Sequence, residues 1–96
     1  MSTQPSEPSQ ASRSVTMYST AWCGYCERAR ALLQRKGIAV DEIKVDEDPA
    51  QRGVMLERSG GRRTVPQIFI GERHIGGYDE LSQLDRSGEL DRILQG

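Results

Sequence analysis

The sequence predicts a single α/β domain with strands and helices in the order βαβα, then ββα. Three observations carry that expectation. A short apolar run, Val15-Thr16-Met17-Tyr18, leads into a segment of helical periodicity and then a second apolar run. Asp48-Pro49-Ala50-Gln51 opens another helix. Gln67 to Ile75 then reads as a hairpin, followed by two short helical stretches. Two strands joined through a helix are expected to be parallel, with a right-handed crossover.

The elements follow in order. Met1 to Ser14 is rich in Ser, Gln and Pro and has no periodic apolar positions, so residues 1–14 are expected to be a disordered polar tail. A mitochondrial transit peptide would be Arg-rich and acid-poor, whereas this stretch has one arginine, Arg13, against one glutamate, Glu7. Residues 15–96 form the domain. Val15 to Tyr18 is the first strand, and Ser19 to Trp22 is the turn after it. Glu27 to Lys36 reads as a helix, with Cys26, Ala29 and Leu33 on one stripe, Leu32 beside it, and Glu27, Arg28, Arg30 and Arg35 facing water. Gly37 stops it. A second strand lies within Ile38 to Val45, with Val40, Ile43 and Val45 as its apolar positions.

In the next helix Asp48 is the expected cap, Pro49 the first helical residue and Gln51 the partner in a capping box. That helix runs to about Ser59 and stops at Gly60-Gly61. Gln67 to Ile70 and Arg73 to Ile75 form the hairpin across Gly71-Glu72. Gly76-Gly77 breaks it, Asp79 opens a helix, and Gly88 separates that helix from a last one carrying Leu90, Ile93 and Leu94.

Composition excludes several classes. The chain has 96 residues, 13 basic against 14 acidic, and a net charge of −1. That balance gives no electrostatic reason to expect nucleic acid or an anionic membrane as a partner. No apolar run approaches the ~20 residues of a membrane span. The only two cysteines sit together as Cys23-Gly24-Tyr25-Cys26, which fits a reducing cytoplasm better than a disulfide-stapled secreted domain.

That pair carries the candidate chemistry. A C-x-x-C where a strand gives way to a helix is a thiol–disulfide motif. The free N–H groups and partial positive charge of a helix N-terminus stabilise a thiolate. A purely structural disulfide would close a tiny loop and contribute only about 2 kcal/mol. A structural zinc site needs four protein ligands. The chain offers two cysteines and one histidine, His74.

A second cluster precedes the third strand. Arg62-Arg63-Thr64-Val65-Pro66 can be an ordinary basic loop closed by a proline at a strand start. Beside a C-x-x-C it gains another meaning. A proline removes its own N–H, and if cis it exposes the preceding backbone groups, which can pair with an extended peptide-like ligand. Gly76-Gly77-Tyr78-Asp79 offers N–H groups at a helix start, suited to a carboxylate; its plain alternative is a Gly-rich turn with an Asp cap.

With these residues in place, the sequence resembles the glutaredoxins, in particular the small bacterial dithiol kind. The matching residues are Tyr18, Cys23-Gly24-Tyr25-Cys26, Ser59-Gly60-Gly61-Arg62-Arg63, Thr64-Val65-Pro66-Gln67-Ile68-Phe69-Ile70 and His74-Ile75-Gly76-Gly77-Tyr78-Asp79-Glu80-Leu81. The resemblance spans Val15 to the C-terminus.

It implies a thioredoxin-like fold with a four-stranded mixed sheet flanked by helices. It implies reduction of disulfides and of protein–glutathione mixed disulfides, with glutathione as electron donor and oxidised or glutathionylated proteins as partners of a monomer. By position, Cys23 is the nucleophile and Cys26 the resolving thiol. Val65 pairs its backbone with glutathione and Pro66 is the cis-proline. Gly77, Tyr78 and Asp79 belong to the γ-glutamyl end, with Asp79 taking the amino group. Tyr25 and Thr64 line the groove.

Two departures from the family pattern matter. Thr20 stands where many members carry a lysine that pairs with a glutathione carboxylate, and Arg63 or Arg52 is the expected substitute. Gly24 stands where the common motif has proline. Members lacking that proline sometimes hold a [2Fe–2S] cluster between two monomers through the first cysteine and glutathione, so a cluster carrier using Cys23 is one alternative. Trp22 and Gly24 also resemble thioredoxin and the mycoredoxins, which gives a second: an electron donor served by thioredoxin reductase.

Magnitudes set the expected use of the thiolate. A free thiol with a pKa near ~8.5 is about 3% ionised at neutral pH. Lowering it to ~6 raises the thiolate about 30-fold, but nucleophilicity falls about 10- to 18-fold. The net gain in attack is about two- to threefold, so the larger advantage is as a leaving group. No histidine is near the motif in sequence, so helix-terminus amides are expected to stabilise the Cys23 thiolate.

Overall fold

The structure is a computed structural model that describes residues 13–95. The expected tail falls mostly on residues 1–12, outside the described residues. Eight elements follow: β1 (Val15–Ser19), α1 (Gly24–Arg35), β2 (Val40–Lys44), α2 (Pro49–Arg58), β3 (Gln67–Ile70), β4 (Arg73–Gly76), α3 (Tyr78–Ser87) and α4 (Glu89–Gln95). The strands form one mixed sheet in the order β2-β1-β3-β4. β1 runs parallel to β2, in register Val15 to Val40, and antiparallel to β3, in register Val15 to Ile70. In the hairpin of β3 and β4, Phe69 lies opposite His74, and a register shift between Ile68 and Phe69 places Ile68 opposite Gly76.

Each face of the sheet is covered, so the central strands are buried along nearly their whole length. On one face, Val15, Met17, Ile68 and Ile70 pack with Cys26, Ala29 and Leu33 of α1, Leu81 of α3 and Leu90 of α4. On the other, Tyr18 and Phe69 pack with Val45 and with Met55 of α2.

Helix ends follow local chemistry, with three differences from expectation. α1 stops at a Schellman turn: Gly37, at φ 76°, donates to the Gln34 carbonyl at 2.9 Å, and Ile38 donates to the Leu33 carbonyl at 3.0 Å. Its start is three residues earlier than the spacing predicts, because the Cys23 side chain supplies the N-cap. Arg30 does not simply face water: its guanidinium meets Glu42 of β2 at 2.9 and 2.6 Å, with Ser19 donating a further bond to Glu42. The capping box expected at α2 does not form. Asp48 accepts from Gln51 through its backbone carbonyl at 3.0 Å, and its carboxylate, exposed to water, makes no cap bond. Lys36 reaches Asp85 at 2.8 Å and Asp91 at 3.1 Å, tying the end of α1 to α3 and α4.

Candidate active site

The strand β1 delivers the chain to the motif through a tight turn. Trp22 takes φ 60°, a left-handed conformation uncommon for a non-glycine residue, and is fully exposed. Cys23 is half-buried at the N-cap of α1 and Cys26 is fully buried one turn on. Their sulfurs are joined as a disulfide, with the Cα atoms 5.2 Å apart. The Cys26 backbone N–H points at the Cys23 sulfur from 3.1 Å. A cap position normally holds an oxygen that accepts from this amide; here a sulfur takes its place. The same amide is placed to stabilise a thiolate at Cys23 once the disulfide is reduced.

The Thr64-Val65-Pro66 loop faces this sulfur. The Val65–Pro66 peptide bond is cis. The Val65 carbonyl oxygen lies 3.8 Å from Cys23 Sγ. Beside it opens a groove of about 290 Å³ lined by Tyr25, Arg62, Thr64, Val65, Pro66, Gly77, Tyr78, Asp79 and Glu80. Tyr25 and Tyr78 stack at 6.2 Å between ring centroids, and Arg28 lies over the Tyr25 ring at 5.4 Å. All the sequence-predicted groove residues are therefore brought together at one side of the cysteine pair.

The far wall is the start of α3. Gly77, not Asp79, is its N-cap, and Tyr78 is the first helical residue. A glycine has no side chain to cap with, so only the reciprocal bond forms. The Glu80 carboxylate accepts from the Gly77 N–H at 2.7 Å. That N–H, with the nearby Arg62 guanidinium adding to it, holds the Glu80 carboxyl below its ordinary range against the opposing effect of burial. Gly76 sits at φ 115°, which favours glycine, and a Cβ there would meet the Glu80 carboxylate at 2.9 Å and push that side chain aside.

Sequence reasoning missed two lining residues. Glu80 was legible as the third helical position after a turn, the place of a capping carboxylate. Arg62 is the arginine that lines the groove, whereas Arg63 and Arg52 do not. Adjacent arginines in a loop cannot be told apart until the loop conformation is known. Among the described residues, no group of three or more His, Cys, Asp or Glu side chains could hold a metal ion. No helix there is long and apolar enough to cross a membrane.

A reducible cysteine pair at a helix N-terminus, facing a cis-proline loop, defines a thiol–disulfide oxidoreductase of thioredoxin-like fold. The glutaredoxin family model matches residues 15–75. The chain is 54% identical to a glutaredoxin of Pseudomonas aeruginosa over 80 residues, 83% of this chain and 94% of that protein. It is 49% identical to glutaredoxin 3 of Escherichia coli K12 over 81 residues, 84% and 96% of the two chains. Among solved structures, the Brucella melitensis glutaredoxin superposes with a TM-score of 0.77 at 46% identity, covering 93% of this chain and 95% of that one. A buckwheat glutaredoxin–glutathione complex superposes with a TM-score of 0.77 at 34% identity, covering 88% and 78%. The chain belongs to the glutaredoxin family, and its activity is glutathione-dependent thiol–disulfide exchange.

Proposed function

We propose that Cys23 is the nucleophile and that residues 15–96 reduce protein–glutathione mixed disulfides by a monothiol route and protein disulfides by a dithiol route. The observation that carries this is the Cys26 N–H at 3.1 Å from Cys23 Sγ, beside the lined groove. In the monothiol route the Cys23 thiolate attacks the glutathione sulfur of the mixed disulfide. The protein thiolate leaves and takes up a proton, and glutathione stays on Cys23. A second glutathione thiolate attacks that sulfur, releasing oxidised glutathione and the Cys23 thiolate. In the dithiol route the Cys23 thiolate attacks one sulfur of the protein disulfide and the other leaves as a thiolate. The Cys26 thiolate then attacks Cys23 Sγ, breaking the mixed disulfide, releasing the second protein thiol and closing the Cys23–Cys26 disulfide. Two glutathione molecules reduce that disulfide with release of oxidised glutathione.

The groove residues divide the ligand. The Val65 backbone meets the cysteinyl part of glutathione beside Pro66, while Tyr25 and Thr64 bound the sides. Gly77, Tyr78 and Asp79 take the γ-glutamyl end, with the Asp79 carboxylate facing its amino group. Arg62 supplies the cation for a glutathione carboxylate that Thr20 cannot. The support is its place in the groove wall. The chain works as a monomer in the cytoplasm, and residues 1–14 add no chemistry. A cluster-carrier reading would take Cys23 from two chains together with glutathione; a single chain offers no further ligand set among its described residues.

The test is turnover of a glutathione–small-thiol mixed disulfide coupled to glutathione reductase. Saturable activity is expected in the wild type and in Cys26→Ser, with none in Cys23→Ser. Reduction of a protein disulfide should be largely lost in Cys26→Ser. Loss of both activities in Cys26→Ser would overturn the assigned roles.

A further inference from the structure

The groove loop is held from beneath by a buried polar chain that the cysteine chemistry does not use. Gln67 is completely buried at the start of β3. Its amide nitrogen donates to the Thr64 carbonyl at 3.0 Å and lies 3.3 Å from Thr64 Oγ1. A carbonyl can only accept, so this end of Gln67 must be the nitrogen, and its oxygen faces the other way. That oxygen is 2.7 Å from His74 Nε2 on β4. The Gln67 oxygen can only accept, so His74 carries its proton on Nε2 in both its neutral and its charged form. The His74 ring in turn stacks on Phe69 at 4.8 Å, and Arg58 of α2 covers Phe69 at 4.1 Å. A column thus runs from α2 through the sheet edge to Thr64, one residue from the Val65 backbone that faces Cys23.

We propose that Gln67 is a positioning residue for the glutathione groove, fixing the Thr64-Val65 backbone against Cys23, with His74 fixing the orientation of Gln67. The proposal rests on the reading of this groove as the glutathione site. An unheld loop would have to be ordered by the ligand, which weakens capture of the substrate without altering the thiolate. Gln67→Met is close in shape and removes both bonds at once. His74→Phe keeps the stack on Phe69 and removes only the donor to Gln67.

Two quantities separate positioning from general damage. The first is kcat/KM for a glutathione–small-thiol mixed disulfide. The second is the rate at which iodoacetamide alkylates reduced Cys23, which needs the thiolate but no groove. Gln67→Met should lower kcat/KM about fivefold and His74→Phe about twofold, with alkylation unchanged in both. Unchanged kcat/KM in both variants, or alkylation that falls in parallel with it, would overturn the proposal. If Gln67→Met does not fold, His74→Phe decides by the same two readouts. A wild type without saturable turnover would instead overturn the glutathione reading of the groove, and the relay with it.

Discussion

The two faces of the sheet are built from different materials. Toward α1, α3 and α4 the filling is dry: Val15, Met17, Leu33, Ile68, Ile70, Leu81 and Leu90 surround the buried Cys26. Toward α2 the apolar layer is thin, and Tyr18 and Phe69 meet at 5.8 Å edge to face. Around them Arg58 bonds the Tyr18 hydroxyl at 2.9 Å, and His74 and Gln67 continue the polar chain. Dispersion and apolar burial are strong but do not dictate direction, whereas hydrogen bonds add little net energy and fix orientation. The dry face therefore sets stability and seats Cys26. The polar face sets where the Thr64-Val65-Pro66 loop stands.

The contrast breaks most visibly on the dry side. Leu33→Ala should cost about 2–5 kcal/mol, through lost burial plus the cavity left behind. Urea unfolding measures it, and kcat/KM for a glutathione mixed disulfide should hold in the fraction still folded. A loss under 1 kcal/mol would mean this face collapses onto the gap.

The polar side should respond more gently. Arg58→Ala removes the bond to Tyr18 and the cation above Phe69, together about 1–2 kcal/mol. The same unfolding experiment checks it, and a loss as large as that of Leu33→Ala would erase the distinction between the faces.

The smallest effect is the pH dependence carried by His74. Burial first, and then the positive charges of Arg62 and Arg58, hold its imidazole below the ordinary value of 6.5, with Glu80 opposing. The unfolded chain therefore takes up this proton before the folded chain does. Stability is unaffected above the unfolded value and falls as pH drops from it through the folded value. Urea midpoints measured from neutral to mildly acidic pH should fall less in His74→Phe than in the wild type. Parallel curves would show that the imidazole titrates alike in both states. At still lower pH Glu42 adds a separate loss. The Arg30 hydrogen bond, chiefly, depresses its carboxyl, so that contribution disappears as the carboxylate is protonated.

How much of this could be read in advance follows the range of the interactions. The succession of strands and helices along the chain, the helix after the cysteine pair, the stops at Gly37 and Gly60 and the thiol–disulfide motif all rest on patterns within a few residues. Thr64-Val65-Pro66 and Gly76-Gly77-Tyr78-Asp79 were legible as backbone-presenting turns, but their assignment with Tyr25 to one groove came from several local motifs matching a family together. The sulfur cap was hidden because cysteine is not an expected capping residue. The choice of Arg62 over Arg63 depends on a loop conformation that the glycines before it leave open. The Gln67–His74 bond crosses from β3 to β4, and no spacing in the sequence shows that these two polar side chains meet beneath the groove loop.

The placement of Trp22 has a spectroscopic consequence. It is the only tryptophan in the chain, and it is bonded to Cys23 while lying wholly in water. A disulfide accepts an electron from an excited indole nearby and so quenches its emission. A hydrated indole keeps its emission maximum while its intensity changes. The brightness of this one ring is therefore expected to rise when the Cys23–Cys26 disulfide is reduced, and emission recorded before and after reduction checks it.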